Sequence, residues 1–204
     1  MIPPFPQAVL FDMDGTILEP VEDGLPEFKA HWGIEADQLV IPNLHRLPPE
    51  AAEAFRLLEV RVADQSVLRA GVRELLEELR AAGIKTALVT NNATSSAKTV
   101  LAKHQVSFDL VLSRDDAPMK PAPDMLLLAL ERLQTSASHA VMVGDTRPDL
   151  GAARSAKIPL CVLLAEPWNE LLELDEPGFQ VVRVQGISGV REHLEWQRSL
   201  DIAV

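Results

Sequence analysis

Short apolar runs alternate with segments of helical periodicity along most of this chain. Each apolar run has four to seven residues and is rich in Val, Leu, Ile and Phe, which is typical of strands that are buried on both faces. The predicted strands span residues 8–11, 84–90, 108–112, 140–143, 160–164 and 179–184. The predicted helices between them span residues 72–82, 95–105, 123–134, 148–157 and 188–197. Repeated β-α-β units with short connections predict an α/β fold, in which helices cover both faces of a doubly wound parallel sheet.

Residues 17–70 interrupt this alternation. They show no strand pattern, and five prolines divide them into short segments. Helical periodicity appears at residues 27–32, 37–40 and 49–63. We therefore predict that residues 17–70 form a small α-helical domain inserted after the first strand. Residues 1–16 and 71–204 would then form the Rossmann-like core.

The composition narrows the class of protein. The 204 residues carry 19 Lys and Arg against 30 Asp and Glu, a net charge of −11, which argues against a nucleic-acid partner because such proteins need a basic face. A single cysteine, Cys161, excludes an internal disulfide. The apolar runs stop far short of the ~20 residues that span a bilayer, and no Lys or Arg precedes Lys29 to mark a targeting segment. We therefore expect a soluble, cytoplasmic protein with no nucleic-acid and no membrane partner.

Polar side chains that could carry chemistry follow four of the predicted strands. In open parallel sheets, ligands bind at the carboxyl ends of the strands, so these residues stand where a site is expected. Each alone would pass for a turn residue, a helix cap or a surface charge, but four strand ends in succession favour a shared site. In chain order the candidates are Asp12, Asp14, Thr90, Asn91, Lys120, Asp145 and Asp149.

The order and placement of these residues resemble the four motifs of the haloacid dehalogenase-like (HAD) hydrolase superfamily. The matching segments are Asp12-Met13-Asp14-Gly15-Thr16, Thr90-Asn91, Lys120-Pro121 and Gly144-Asp145-x-x-x-Asp149. The resemblance covers roughly residues 8–164. The insertion between the first and second motifs is similar to the small helical cap of the phosphoglycolate phosphatase and β-phosphoglucomutase branch.

The resemblance implies a Mg²⁺-dependent phosphatase that hydrolyses a small phosphorylated metabolite. Asp12 would be the nucleophile and would form an aspartyl-phosphate. Asp14 would protonate the leaving oxygen and then activate the water that hydrolyses the intermediate. The implied metal ligands are the side chains of Asp12 and Asp145 and the backbone carbonyl of Asp14, and Asp149 would support them. The implied phosphate-binding groups are Thr90, the Asn91 amide and Lys120.

Two alternatives share these motifs. A phosphotransferase or mutase of the β-phosphoglucomutase type uses the same first step but protects the aspartyl-phosphate from water. A binding or regulatory protein could keep the fold without turnover. The dehalogenase branch is excluded because it lacks an acid at the position of Asp14. The chain departs from the family pattern at Ala156-Lys157-Ile158, where Ala-Gly is frequent, which affects only the turn into the fifth strand.

The predicted insertion supplies the candidate substrate contacts. It holds ten Asp and Glu against five Lys and Arg, so a phosphorylated substrate would contact its few basic residues. Arg46, and secondarily His45, lie in a Pro-bounded connection where the specificity loop of the family would fall. We expect Arg46 to contact the non-reacting end of the substrate, because a guanidinium can bind an anion through two hydrogen bonds. We expect a monomer, with a dimer as the alternative.

Overall fold

The computed structural model describes residues 6–20, 24–36, 38, 40–170 and 178–202, apart from the side chains of Trp168 and of residues 195–202. Six parallel strands form one sheet in the order β3-β2-β1-β4-β5-β6. The strands are β1 (Ala8–Phe11), β2 (Lys85–Val89), β3 (Leu110–Leu112), β4 (Ala140–Gly144), β5 (Leu160–Leu164) and β6 (Gln180–Val184). All six coincide with predicted apolar runs, so the predicted doubly wound parallel sheet is confirmed.

The two faces of the sheet are buried in separate clusters of apolar side chains. In β1, Val9 and Phe11 belong to one cluster, whereas Ala8 and Leu10 belong to the other. Alternate side chains of a strand point to opposite faces of its sheet, so helices must cover both faces. This explains why the strands are apolar runs without alternation of polar residues.

The described part of the chain contains seven α-helices. They are α1 (Leu25–Trp32), α2 (Pro49–Gln65), α3 (Val72–Ala81), α4 (Thr94–His104), α5 (Asp124–Leu133), α6 (Arg147–Ser155) and α7 (Gly186–Ile202). The bounds of α3 to α6 differ from the predicted helices by at most two residues, and α7 begins two residues earlier and ends five later. Among the described helices, none combines the length and apolar character that a membrane crossing requires.

Helices α1 and α2 belong to the segment between β1 and α3, which we call the helical insertion (the described part of residues 18–68). The helix predicted at residues 37–40 is corrected here. Asp37 and Leu39 lie outside the described residues, Gln38 and Val40 are in bends, and a short 3₁₀ helix follows at Ile41–Arg46. Pro42 explains the shift, because its fixed φ favours the first turn of a helix.

The chain leaves and re-enters the core at one place. Leu18 and Leu68 form an antiparallel bridge, the Glu19 N–H donates to the Val67 carbonyl (2.8 Å), and the Arg69 N–H donates to the Ile17 carbonyl (2.9 Å). The insertion has its own small apolar cluster of Phe28, Ile34, Val40 and Phe55. Leu18 and Ala63 of the insertion nevertheless join the apolar cluster of one sheet face, and α2 packs against α4, so the insertion is docked on the core.

Candidate active site

The strand order brings the first, second and fourth motifs together. β1 lies between β2 and β4, and Phe11 pairs in register with Leu88 and with Val143. The residues after these strands therefore meet at one edge of the sheet. Directly after Asp12, residues Met13–Ile17 form a tight turn in which Gly15 has φ +70°. A Cβ at Gly15 would overlap the Asp145 carboxylate, so only glycine permits this close approach.

Lys120 reaches this edge from the loop after β3 and is almost fully buried. Its Nζ lies 2.5 Å from Asp12 Oδ1 and 2.7 Å from Asp149 Oδ1. Burial alone would lower the pKa of Lys120, but the charges of Asp12 and Asp149 outweigh burial and hold that pKa above its ordinary value. Lys120 is therefore a fixed cation within hydrogen-bond distance of the predicted nucleophile.

Three buried carboxylates, those of Asp12, Asp145 and Asp149, each place an oxygen within 4.8 Å of the other two. Burial raises the pKa of Asp12 well above its ordinary value; Lys120 opposes this shift, and the nearby carboxylates add to it. One lysine cannot balance this negative charge, and carboxylate oxygens are the ligands that Mg²⁺ prefers. The donor set therefore fits a divalent cation.

The three carboxylates differ in how they are engaged. Asp145 accepts a hydrogen bond from the Thr16 hydroxyl (2.9 Å) and lines the cavity described below. Asp149 Oδ2 accepts the backbone N–H (3.0 Å) and the hydroxyl (2.5 Å) of Thr146, which caps α6. Its Oδ1 accepts from Lys120. Both oxygens of Asp149 are thus occupied, which suits a supporting position better than direct ligation.

The second motif supplies one hydroxyl and one amide side chain. Thr90 is buried, and its Oγ1 accepts the backbone N–H of Asn92 (3.1 Å). The Asn91 side chain donates to the Lys120 carbonyl (2.9 Å) and accepts from the Lys120 N–H (2.8 Å). These two hydrogen bonds join the loops and fix the backbone of Lys120. The sequence pattern did not indicate this role of Asn91.

Asp14 has a partner that the sequence reasoning missed. The Asn92 Nδ2 group donates to Asp14 Oδ2 at 2.6 Å, and both residues are half-buried. The only signal in the sequence is that Asn92 directly follows the second motif.

A cavity of about 1100 Å³ separates the strand ends from the helical insertion. Its floor is polar and includes Asp12, Asp14 and Lys120, whereas α1 and α2 contribute apolar side chains to the opposite wall. That wall includes Leu25, Ile34, Phe55, Leu58 and Val62. The space admits a small molecule above the carboxylates.

The structure does not bring His45 and Arg46 to this cavity. Both are exposed in the turn at Ile41–Arg46, where Arg46 Nε donates to His45 Nε2 (3.3 Å), and neither lines the cavity. The cation of the insertion that does line it is Lys29, whose Nζ donates to the Ala36 carbonyl (2.7 Å). The placement thus favours Lys29 over Arg46 as the cap-side contact.

Two arginine side chains join distant segments around the site. Arg114, in the loop after β3, forms a bidentate ion pair with Glu59 of α2. Arg69, at the return from the insertion, donates to the Gly15 carbonyl (2.9 Å) and pairs with Glu166. Both arginines join segments that are distant in sequence, so no local pattern could have indicated them.

The loop after β5 also supports the site. Asn169 is buried, and its Nδ2 donates to the carbonyls of Asp145 and Leu164, both at 2.7 Å. This side chain therefore fixes the backbone of the residue that presents one of the clustered carboxylates. The sequence reasoning missed it as well.

Comparison with known proteins defines the class to which this fold and site belong. Residues 6–157 match the family described as haloacid dehalogenase-like hydrolase. The chain is similar to a phosphoglycolate phosphatase of Xanthomonas campestris pv. campestris, with 30% identity over 85% of this chain and 88% of the relative. It is also similar to an uncharacterized hydrolase of Saccharomyces cerevisiae, with 28% identity over 93% of this chain and 91% of the relative.

The fold is also shared with solved structures. A hydrolase from Pseudomonas syringae superposes with a TM-score of 0.73 at 22% identity, over 93% of this chain and 98% of that one. The chain therefore belongs to the haloacid dehalogenase-like hydrolase family. The family resemblance predicted from the four motifs is confirmed.

Proposed function

We propose that this hydrolase is a Mg²⁺-dependent phosphatase that releases inorganic phosphate from a small phosphorylated metabolite through an aspartyl-phosphate. The observation that carries the proposal is the group of three buried carboxylates and one buried lysine on the floor of the cavity. When a cation balances the negative charge of the carboxylates, this floor can bind the anionic group of a phosphate monoester.

The residues on the floor can perform both halves of the reaction. A carboxylate oxygen of Asp12 attacks phosphorus, and the bond to the leaving oxygen breaks as Asp14 gives that oxygen a proton. Asp14, now ionised, takes a proton from water, whose oxygen attacks the phosphoryl group and restores Asp12. Lys120, Thr90 and the Asn91 backbone amide bind the other phosphoryl oxygens while charge accumulates on them.

A cation is needed to bring a phosphate dianion to a group of carboxylates. We propose that Asp12, Asp145 and the backbone carbonyl of Asp14 hold Mg²⁺, with Asp149 in support. When bound, Mg²⁺ neutralises negative charge on the carboxylates and on the phosphoryl oxygens. Asn169 and Thr16 hold Asp145 in place for this role.

The helical insertion supports a restricted substrate class. We propose that residues 17–70 are a cap over a core of residues 1–16 and 71–204. Among the described residues of the insertion that line the cavity, Lys29 is the one cation, and its Nζ donates to the Ala36 carbonyl. The carboxylate of Glu59 is taken by its ion pair with Arg114. A compact substrate with a second anionic group, such as the 2-phosphoglycolate that a relative's name indicates, would place that group towards Lys29.

Phosphate release from a panel of phosphorylated metabolites tests the proposal. The panel should include 2-phosphoglycolate, sugar monophosphates and 4-nitrophenyl phosphate, each assayed with Mg²⁺ and with excess chelator. We expect release with Mg²⁺, no release with chelator, and poor replacement by Ca²⁺, which prefers more ligands at longer distances. Full activity in chelator, or no release from any compound, would contradict the proposal.

A further inference from the structure

The side chain of Asn92 is aimed at Asp14 by a backbone that is fixed on both sides. The Asn92 N–H donates to Thr90 Oγ1 (3.1 Å), and the Asn92 carbonyl accepts from the Arg114 N–H (3.2 Å). With the backbone held in this way, Nδ2 donates to Asp14 Oδ2 at 2.6 Å. Asp14 itself lies in a non-helical conformation (φ −75°, ψ 134°) within the turn of the first motif.

We propose that Asn92 is a positioning residue, which holds the Asp14 carboxyl group in the orientation that delivers a proton to the leaving oxygen. The inference rests on the proposed function, since it assigns to Asp14 the proton transfer of that reaction. It adds a residue outside the four motifs to the machinery of the site.

The chemistry of an amide suits both states of Asp14. An N–H group can donate to Oδ2 when Asp14 is ionised, and it can still donate to Oδ2 when the acid proton is on Oδ1. The hydrogen bond therefore persists while Asp14 gives up its proton and later takes one back. A misplacement of about 1 Å in a reacting group can cost about a hundredfold in rate, so a single fixed oxygen matters.

The dependence of rate on the leaving group separates this role from a structural one. An alkyl phosphate needs a proton on its leaving oxygen, whereas 4-nitrophenyl phosphate releases a stable phenolate without one. In Asn92→Ala we expect kcat/KM for the best alkyl phosphate of the panel to fall by about 30-fold or more, and kcat/KM for 4-nitrophenyl phosphate by less than about threefold. The ratio kcat/KM reports the steps up to departure of the leaving group and excludes the later hydrolysis of the aspartyl-phosphate, which both substrates share. Asn92→Leu keeps a side chain of similar size but removes the donor and adds no charge, so it should show the same selectivity.

A double-mutant comparison tests the coupling to Asp14. In an Asp14→Ala background, the further change Asn92→Ala should cost no additional activity on the alkyl phosphate, because the group that Asn92 positions is gone. Ser95→Ala is the matched control, since Ser95 is exposed in the first turn of α4 and should leave both substrates unaffected. Circular dichroism of each variant checks that the fold is retained.

The outcomes distinguish this inference from the proposed function. If wild-type protein releases no phosphate from any substrate, the proposed function is wrong, and this inference with it. If wild-type protein is active but Asn92→Ala loses equally on both substrates, Asn92 contacts the phosphoryl group or supports the loop, and only this inference is wrong. An undiminished loss in the Asp14→Ala background, or no loss in wild-type background, would overturn it as well.

Discussion

The two sides of the cavity are built in different ways. On the core side, polar side chains are buried and fixed by several bonds, as Lys120 is by Asp12 and Asp149. On the side of the helical insertion, the wall is mainly apolar, and its own buried cluster comprises four side chains among the described residues. The described charged side chains that line the cavity on this side are Glu19, Lys29, Glu35 and Glu59, and Glu59 is paired with Arg114 of the core.

This difference separates chemistry from selection. Interactions that stabilise a transition state must be in place before the reaction, and the dense bonding of the core achieves that. The insertion is attached to the core by the packing of α2 against α4, by the Lys103 Nζ hydrogen bond to the Ser66 carbonyl (2.7 Å) and by the Arg114–Glu59 pair, while its wall of the cavity is mainly apolar. We therefore propose that the core performs the phosphoryl transfer and that the insertion selects the molecule that carries the phosphoryl group.

The largest expected effect comes from breaking the core side at its nucleophile. Asp12→Asn should lower kcat by about a thousandfold or more, because an amide cannot form the acyl phosphate. The fold should persist, since the substitution keeps the shape of a side chain at a strand end. Steady-state phosphate release and circular dichroism measure the two parts.

Asp124→Asn is the matched control for this variant, because Asp124 is exposed in the first turn of α5. It should retain wild-type kcat. Substantial turnover by Asp12→Asn would remove Asp12 from the role of nucleophile.

The next effect concerns the uncompensated charge of the core side. Mg²⁺ at a hundred times its Kd should stabilise the protein by about 2.7 kcal/mol, which corresponds to about 5–10 °C in Tm for a chain of this size. Asp145→Asn should lose most of that shift, because it removes a carboxylate that faces the cavity. Thermal unfolding with Mg²⁺ and with chelator measures the shift without any substrate.

Asp124→Asn again provides the control and should keep the full shift. The metal assignment would be contradicted if Mg²⁺ did not change the Tm of the wild-type protein, or if Asp145→Asn showed the full wild-type shift.

The same contrast explains what could be predicted from the sequence. The sheet was predictable because a strand buried on both faces must be a continuous apolar run, as in β5, where the predicted and observed bounds agree at Leu160–Leu164. The polar residues of the core side were predictable because the ends of parallel strands converge by topology. Asp12 and Asp145 are 133 positions apart, yet the strand order alone brings them together.

The remaining features depend on where two side chains from distant segments meet. Arg114 and Glu59, or Asn92 and Asp14, pair across more than fifty positions, and no periodicity encodes such a pairing. The position of Arg46 outside the cavity has the same origin. Ile41 and Leu44 of the same segment pack against the apolar cluster of the insertion, and such packing decides which side chain faces the cavity.

A comparison of two cations in the insertion sharpens the assignment of selectivity. Lys29→Ala should lower kcat/KM for the preferred metabolite by about tenfold or more, the value of a charged hydrogen bond, and should barely affect 4-nitrophenyl phosphate. Arg46→Ala should affect neither substrate. The reverse result would restore Arg46 as the substrate contact.

The smallest expected effect concerns the ion pair that joins the two sides. The side chains of Arg114 and Glu59 are only 17% and 10% exposed, and the guanidinium also lies 5.9 Å from the Phe55 ring centroid. A double-mutant cycle of Arg114→Gln and Glu59→Gln in urea unfolding should give a coupling of about 1–2 kcal/mol, because removing one partner leaves the other largely desolvated.

The matched control for that cycle is the pair of Arg56 and Glu53 on the same helix. Its Nη2–Oε1 distance of 2.6 Å is also that of a close ion pair, but its side chains are 59% and 58% exposed. Water and salt screen such a pair, so the equivalent cycle should give no measurable coupling. Equal coupling in the two cycles would show that short distance alone, rather than burial between core and insertion, gives the pair its strength. The insertion would then be no more firmly attached through Arg114 than through any surface contact.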